Sequence, residues 1–489
     1  MTQIQLESLA TAERKPASCT DEPTHYPLCC SVRLSYTICA FLAMLMHLCM
    51  RNIFNFTILC MSNPDKGSPP VVNASESLNY LYDSENVSTI NNLGDIQWTR
   101  KEEFAIQSTF YYGYLVTLPF AGRLADRFGG KFFFIHSVTA QAVLFMLIPV
   151  FAHISYLGTF ILRLMQGLVA GFGNPALYQL FSTWAHRSER TALLSFAYAG
   201  YTVGTLVAFP LSGLLCRYNW EWTFYIVGLV ALVFGISCNW LVYNSLEEHP
   251  RLSADEREYL KSTNEEKSTS SCIPWKNILT SAPVYAFILT HVFHSYGIIV
   301  FTMMLPRFLK EALGFSLSEA GIYSTMPFVG GIIAKFIIVP TCTYVERKPN
   351  YKPTLYGKIF YVLCIVFTIK FLVIVMLLNA KQHILINICI LLVGFFTDSA
   401  FSGGYWPSLL HLTPSYSGLL SGIANAFSTI DGFLSPVIIS AIAVQGNKTE
   451  WNNVILTLII SYVLAASIFG SLGSSKLRSW NNVIATEDV

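Results

Sequence analysis

The chain has 489 residues, of which 53% are hydrophobic and only 12% are charged, and its mean hydropathy is +0.48. Soluble domains carry about 25% charged residues, so this composition excludes a soluble globular protein and predicts an all-α membrane protein. The formal net charge of +2 gives no indication of nucleic-acid binding, and we expect the lipid bilayer to be the main partner of the apolar surface.

Residues 1–33 contain four acidic residues and no apolar core, so we expect a cytosolic N-terminal tail and an uncleaved signal anchor in the first span. Twelve apolar segments follow, each close to the roughly 20 residues that a transmembrane helix needs. The predicted spans cover residues 35–61, 104–125, 132–152, 156–183, 192–215, 221–243, 282–304, 319–343, 356–378, 384–408, 416–443 and 452–472.

The twelve spans fall into two groups of six. Residues 34–243 form a predicted N-terminal six-helix bundle, and residues 282–472 form a predicted C-terminal six-helix bundle. Residues 244–281 are predicted to be a cytosolic linker with a short helix near residues 253–260, and residues 473–489 a cytosolic tail. A division into six and six spans indicates two bundles with a solute site between them.

Lysine and arginine predict that both termini are cytosolic. The loops assigned to the cytosol hold Arg123, Arg127, Lys131, Arg187, Arg190, Arg251, Arg257, Lys261, Lys267, Arg347, Lys348 and Lys352. The opposite loops hold few such residues, apart from Lys66, Arg100, Lys101, Arg307 and Lys310.

Potential glycosylation sites agree with this orientation. Asn73 and Asn86 begin sequons in the loop of residues 62–102, and Asn447 begins one between spans 11 and 12. Cys60 and Cys216 could meet at the same rim, where a disulfide is one possibility. The 12 cysteines form no metal-binding pattern, and we predict no metal or cofactor.

Two arginines lie inside apolar runs: Arg51 between Ile38 and Met61, and Arg163 between Tyr156 and Leu180. A guanidinium stays charged at any working pH and costs about 2.5–3.5 kcal/mol at a bilayer centre on insertion scales. Both therefore predict a polar cavity that suits a small anionic solute. The alternatives are that Arg163 pairs with an acid at a helix seam and that Arg51 extends to the membrane surface, although Arg51 lies deep for that.

Asp398, Asp431, His291 and His294 also lie within predicted spans. Intramembrane acids are costly, so we consider the aspartates and His291 as candidates for coupling transport to a proton. Alternatively, either aspartate pairs with Lys335 or an arginine to hold helices together, and the two histidines, one turn apart, are packing residues. Lys335 could also extend to the membrane surface.

The segment from Gly122 to Lys131, between spans 2 and 3, resembles the cytosolic signature of the major facilitator superfamily. It contains Gly122, Asp126, Arg127, Gly130 and Lys131, which we expect to form a gating motif. Its glycines allow a tight turn and close helix approach, and its basic residues anchor the cytosolic face.

Further stretches resemble the anion:cation symporter branch of that superfamily, which includes sialin, the vesicular glutamate transporters, and the phosphate and urate transporters of kidney. They are residues 108–114, 163–171, 198–213, 222–228 and 414–425. The resemblance covers roughly residues 33–475 and leaves the substrate open.

The resemblance implies an alternating-access carrier of an organic or inorganic anion. In the family the matching arginines, here Arg51 and Arg163, bind or steer the anion, and the matching tyrosine, here Tyr114, lines the cavity. His294 stands where vesicular glutamate transporters have an arginine, and Asn425 ends the span 11 motif; we include both in the predicted substrate site.

The chain departs from the family at Ala170, where a glutamate tied to proton coupling is usual. We therefore leave the driving force open among proton, sodium and voltage gradients. One alternative is a non-transporting receptor or scaffold; another is a carrier of neutral or cationic solutes. We predict no enzyme, because the loops carry no nucleophile or phosphate-binding motif. The plasma membrane and the lysosomal or vesicle membrane both remain candidate locations.

Overall fold

The computed structural model describes residues 31–62, 94–186, 189–261 and 273–482, together with Leu28. Twelve long helices in these residues follow the twelve predicted spans. They are α1 (Val32–Met61), α2 (Arg100–Phe128), α3 (Gly130–Ile154), α4 (Tyr156–Trp184), α5 (Arg190–Leu215), α6 (Trp220–Leu241), α7 (Ala282–Glu311), α8 (Leu317–Glu346), α9 (Pro353–Leu377), α10 (His383–Leu412), α11 (Ser417–Ile442) and α12 (Lys448–Leu472).

Eleven of these helices are long and apolar enough, by length and composition, to cross a membrane. Helix α2 is the remaining long helix. Its central residues 104–122 carry no charge, but Gln107, Ser108, Thr109 and three tyrosines make this stretch less apolar than the other eleven helices. The predicted all-α architecture is confirmed.

The helices pack as two bundles. In the first, α1 contacts α5 and α6, α2 contacts α4, and α3 contacts α4 and α6. In the second, α7 contacts α11 and α12, α8 contacts α10, and α9 contacts α10 and α12. The bundles meet through α2 against α11, α5 against α8, and α1 against α7. A site between the bundles must therefore lie among these helices.

Three long helices are interrupted. Helix α4 breaks between Tyr156–Ala170 and Gly173–Trp184, where Pro175 lacks the N–H that a continuous helix would use. Helix α8 consists of Leu317–Tyr323 and Met326–Glu346. Helix α10 contains a π-helical turn, Ala400–Tyr405.

The helix ends form two faces. We call the face with the C-terminal ends of α1 and α5 the disulfide face, because Cys60 and Cys216 are bonded there with their Cα atoms 6.0 Å apart. We call the opposite face, where α1 begins and α12 ends, the terminal face. The disulfide that the sequence left as one possibility is therefore present.

The segment between the bundles lies at the terminal face and contains short helices at Ala254–Lys261 and Trp275–Leu279. Buried Glu256 accepts hydrogen bonds from the backbone N–H groups of Val32 and Arg33, both at 3.2 Å, and pairs with the Arg33 Nε at 3.3 Å. One carboxylate thus caps the positive end of α1 and docks the first short helix onto the N-terminal bundle.

Helix α7 extends beyond its predicted end at residue 304 to Glu311. The helix continues past the predicted span because the charge of Arg307 is compensated by a residue far away in sequence. Arg307 Nη2 lies 2.5 Å from Glu103 Oε2 of α2, and both side chains are 3% exposed. Arg100 Nη2 of α2 lies 2.5 Å from Glu311 Oε2 of α7. We call these four residues the inter-bundle ion-pair cluster.

Glycines show where the bundles are closed and where they are apart. A Cβ added at Gly432 of α11 would lie 2.0 Å from Cδ1 of Tyr111 on α2, and one at Gly213 of α5 would lie 2.8 Å from the Leu317 carbonyl of α8. Towards the terminal face, a Cβ at Gly122, Gly418 or Gly422 would meet no atom within 4 Å. The bundles are in contact near the disulfide face and separate towards the terminal face.

Candidate functional site

A cavity of about 210 Å³ lies between the two bundles. The N-terminal bundle contributes Leu48 of α1 together with Tyr201 and Thr205 of α5. The C-terminal bundle contributes Lys335 of α8 and Asp398 of α10. The cavity thus combines apolar walls with hydroxyl and charged groups, as small-molecule sites commonly do.

Arg51 lies one helical turn beyond Leu48 on α1 and is half-buried. Its guanidinium carbon is 5.7 Å from the centre of the Tyr111 ring, and its buried Nε has no hydrogen-bond partner. Its charge acts on the phenol groups of Tyr114 and Tyr201. Within the described part of the chain no carboxylate pairs with Arg51, so its positive charge is available to an anion.

Arg163 lies inside the N-terminal bundle and is 1% exposed. Its guanidinium carbon is 4.0 Å from the centre of the Phe54 ring and 5.0 Å from that of Phe110, both of which favour a cation through their π faces. Nη1 donates to Gln166 at 2.9 Å, whereas Nε and Nη2 have no partner. None of the described carboxylates pairs with it, and its side chain is buried.

Tyr114 belongs to a hydrogen-bonded chain across three helices. Asn174 Nδ2 of α4 donates to Tyr114 Oη of α2 at 3.1 Å, and Tyr201 Oη of α5 donates to Asn174 Oδ1 at 2.7 Å. Tyr201 reaches the cavity. Sequence reasoning singled out Tyr114 and missed Asn174 and Tyr201; the available signal was Asn174-Pro175 inside an otherwise apolar span.

The structure places His294 away from the cavity. It is fully buried among the rings of Tyr361, Phe401, Tyr405 and Tyr462, with Nδ1 at 3.4 Å from Tyr361 Oη. This environment matches the packing histidine that the sequence left as an alternative.

His291 and Asn425 contact each other. His291 is 5% exposed; its Nε2 lies 3.1 Å from Asn425 Oδ1 and its Nδ1 lies 2.9 Å from Tyr405 Oη. Asn425 is exposed, in the stretch of α11 where the bundles separate. Of the predicted C-terminal candidates for substrate binding, Asn425 is therefore accessible and His294 is not.

The two intramembrane aspartates differ sharply. Asp398 Oδ1 lies 3.0 Å from Lys335 Nζ, and Ser402 Oγ donates to Asp398 Oδ2 at 3.3 Å. Asp431 is 4% exposed, and its Oδ2 has no hydrogen-bond partner. Asp398 is thus paired and open to the cavity, whereas Asp431 is buried within the C-terminal bundle beside Gly432.

The predicted gating motif forms the turn between α2 and α3 at the terminal face. Gly130 N–H donates to Gln179 Oε1 of α4 at 3.1 Å. Lys131 donates from its backbone to Asn244 Oδ1 at 3.0 Å and from Nζ to the Asn239 carbonyl at 3.1 Å. Arg127 is exposed over the Phe128 ring, and Gly122 faces open space. The Asp126 side chain lies outside the described part of the chain.

Of the predicted glycosylation sites, Asn73 and Asn86 lie outside the described residues. Asn447 is exposed at the disulfide face, where it caps α12: its Oδ1 accepts from the Glu450 N–H at 2.9 Å. Its Nδ2, the atom that would bear a glycan, is not used by this cap.

Comparisons with known proteins agree with this architecture. The Major Facilitator Superfamily model matches residues 35–436. Human sialin is 29% identical over 462 residues, covering 93% of this chain and 92% of sialin. Vesicular glutamate transporter 1 of Xenopus laevis is 28% identical over 411 residues, covering 80% of this chain and 69% of that protein.

Solved structures show the same fold. A D-xylose–proton symporter superposes with a TM-score of 0.63 at 16% identity, covering 91% of this chain and 99% of the symporter. A bacterial homologue of the lysosomal transporter Spinster, inward-facing and unoccupied, superposes with a TM-score of 0.60 at 12% identity, covering 90% and 98%. The chain is a multi-pass membrane transporter that belongs to the Major Facilitator Superfamily, with relatives in its anion:cation symporter branch.

Proposed function

We propose that this protein is a secondary active transporter that moves an organic or inorganic anion by alternating access. The observation that carries the proposal is the guanidinium of Arg51, which is half-buried near a cavity between the bundles and has no carboxylate partner among the described residues. A permanent positive charge without a counter-ion is stabilised by an anionic cargo. Among the relatives, the name of the vesicular glutamate transporters indicates such a cargo.

Alternating access requires that the bundles close at one face and open at the other. The contact of Gly432 with Tyr111 and the open space at Gly418 and Gly422 support one such state, open towards the terminal face. In the opposite state we expect Gly418 and Gly422 to come into contact with the N-terminal bundle. The motif from Gly122 to Lys131 lies at the face that must then close.

We place the terminal face in the cytosol, and with it both termini. Three observations support this orientation: the excess of lysine and arginine, the sequons, and the disulfide on the other face. Disulfides persist in oxidising compartments rather than in the cytosol. We further propose the plasma membrane or a lysosomal or vesicle membrane as the location, with a proton, sodium or voltage gradient as the driving force.

Reconstitution of the purified protein in liposomes tests the proposed function. We expect uptake of at least one labelled anion from a panel of carboxylates, phosphate and urate under an imposed pH, sodium or voltage gradient. Arg51→Gln should reduce that uptake at least about tenfold, because it removes a desolvated charge contact to the cargo. Arg217→Gln, at an exposed arginine of the disulfide face, is the matched control and should transport normally.

The other hypotheses give different results in the same assay. A receptor or scaffold would show no flux of any anion under any gradient. A carrier of neutral or cationic solutes would transport such a solute equally well with Arg51 or Gln at this position.

A further inference from the structure

The cavity contains a charged pair that the transport proposal does not yet use. Lys335 Nζ and Asp398 Oδ1 are 3.0 Å apart, and the two side chains are 47% and 19% exposed. Both line the cavity, opposite the α5 residues Tyr201 and Thr205. The lysine ammonium is therefore neutralised by one neighbour while remaining open to the space in which a solute would bind.

The pair lies well inside the lengths of both helices that carry it. Lys335 is eleven residues before Glu346, the end of α8, which corresponds to about 16 Å along the helix. Asp398 is fifteen residues after His383, the start of α10. At this depth an uncompensated charge is costly, so each charge needs the other or a substitute for it.

The backbone near Asp398 departs from a regular α-helix. A π-helical turn, Ala400–Tyr405, begins two residues after it, and such turns occur frequently at functional sites. Ser402 in that turn donates to Asp398 Oδ2 at 3.3 Å. On α8, a Cβ added at Gly331 would lie 3.3 Å from Asp398 Cβ, so the two helices approach closely where the pair forms.

The charged and titratable groups around the pair are few, and Arg51 of α1 is one of them, one helical turn from the lining residue Leu48. The titratable groups that face Asp398 are Lys335 from α8, Tyr405 from its own helix, Tyr462 from α12 and Tyr201 from α5. Helix α7 contributes apolar side chains to the cavity, and Tyr361 of α9 lies behind Tyr405. Among the residues that line this cavity, Asp398 is the one acid and Lys335 the one cation.

We propose that Lys335 and Asp398 form a proton-controlled anion subsite. When Asp398 is ionised, its carboxylate forms an ion pair with the ammonium of Lys335. When a proton binds Asp398, the ion pair breaks, and the ammonium of Lys335 binds the carboxylate, phosphate or similar anionic group of the cargo instead. The proton and the anion then cross together and leave together, one proton for each anion.

This inference rests on the proposed anion transport and specifies its coupling. The proton binds Asp398 and the anion binds Lys335, and each breaks the ion pair that opposes binding of the other. Each ligand therefore raises the affinity of the protein for the other.

The test uses the full-length protein in liposomes, with the labelled anion that the wild type transports, and measures both gradient-driven uptake and anion exchange without a gradient. Asp398→Asn mimics the protonated state. We expect it to retain exchange, to lose the pH dependence of exchange, and to lose accumulation driven by a pH gradient. Lys335→Gln should raise the KM for the anion at least about tenfold.

Two further variants separate coupling from a structural role. Ser402→Ala removes a hydrogen bond that stabilises the ionised carboxylate, so half-maximal exchange should move to higher pH. Lys370→Gln changes an exposed lysine of α9 away from the cavity and should behave as the wild type does. A purely structural pair would instead lose exchange in both single variants and regain it in the double variant Lys335→Gln/Asp398→Asn.

Exchange by Asp398→Asn with the pH profile of the wild type would overturn the inference while leaving anion transport intact. If Asp398→Asn does not fold, an unchanged pH profile in Ser402→Ala would overturn it. No flux of any anion in the wild type would instead overturn the proposed function, and this inference with it.

Discussion

At the scale of single residues, charge was the signal that the sequence showed well. Arg51, Arg163, Asp398 and Asp431 were found because each interrupts an apolar run. Their surroundings could not be predicted, because the distance between two spans is not encoded in the spacing of either. Lys335 was therefore one of several possible partners for Asp398, and the structure shows that it is the one. Tyr201, an uncharged residue of a span, gave no signal.

Glu256 illustrates a residue whose importance depends on contacts distant in sequence. We predict that Glu256→Ala undocks the short helix Ala254–Lys261, because the first N–H groups of α1 then lose their buried acceptor and Arg33, which keeps its pair with Glu189, loses its link to this helix. The cost should be about 3 kcal/mol, or roughly a hundredfold faster hydrogen exchange of the backbone amides in that helix. Glu258→Ala, at an exposed position of the same helix, is the control. Equal exchange in both variants would show that Glu256 does not hold the helix.

At the scale of helices, hydropathy located the spans closely because each must present about 20 apolar residues to lipid. The irregularities inside them were harder to predict. The break in α4 had a signal in Gly173-Asn174-Pro175, whereas the π-helical turn of α10 shows only Gly403-Gly404. Helix α7 continues seven residues beyond the predicted span, because Glu103 compensates the charge of Arg307 from another helix.

Helix α11 offers a paired test of how the bundles close. Gly432→Leu should force α11 away from Tyr111 and weaken closure at the disulfide face, because a Cβ there already overlaps the ring. Gly422→Leu should be tolerated in the present state, in which this position faces open space, and should oppose closure at the terminal face. Hydrogen exchange should therefore increase around residues 312–316 only in Gly432→Leu.

Anion uptake provides the second readout for this pair. Both variants should slow uptake, since each blocks a different half of the cycle. Normal uptake by Gly422→Leu would contradict the expectation that α11 closes against the N-terminal bundle at the terminal face.

At the scale of the whole molecule, the inter-bundle ion-pair cluster explains an irregularity of the sequence. Arg100 and Arg307 were exceptions to the bias of basic residues towards one side, and both are paired with glutamates across the bundle interface. Their ion pairs therefore hold the two bundles together at the disulfide face. The overall architecture could be predicted from periodicity and motifs, but its conformational state could not, because both states expose the same apolar surface to lipid.

We predict that Glu103→Gln favours opening at the disulfide face, because Arg307, which is 3% exposed, would lose its close carboxylate across the interface and keep the 3.8 Å contact with Glu311 of its own helix. Breaking a buried pair on one side costs about 3–5 kcal/mol, enough to change the dominant state. Faster hydrogen exchange at the ends of α2 and α7 measures this shift. Glu102→Gln is the matched control, since Gln also fits the capping box that Glu102 forms with Thr99. Identical exchange in both variants would argue against a closing role for the cluster.

The covalent bond between Cys60 and Cys216 has a mechanical consequence. It links α1, which bears Arg51, to α5, which bears Tyr201. This wall of the cavity therefore moves as a rigid unit when the two bundles rotate relative to each other. Lys335 and Asp398 belong to the C-terminal bundle. The separation between Arg51 and Lys335 would therefore change during every transport cycle. An anion bound to both cations would bind the inward-open and outward-open states with different affinity, and so would shift the equilibrium between them.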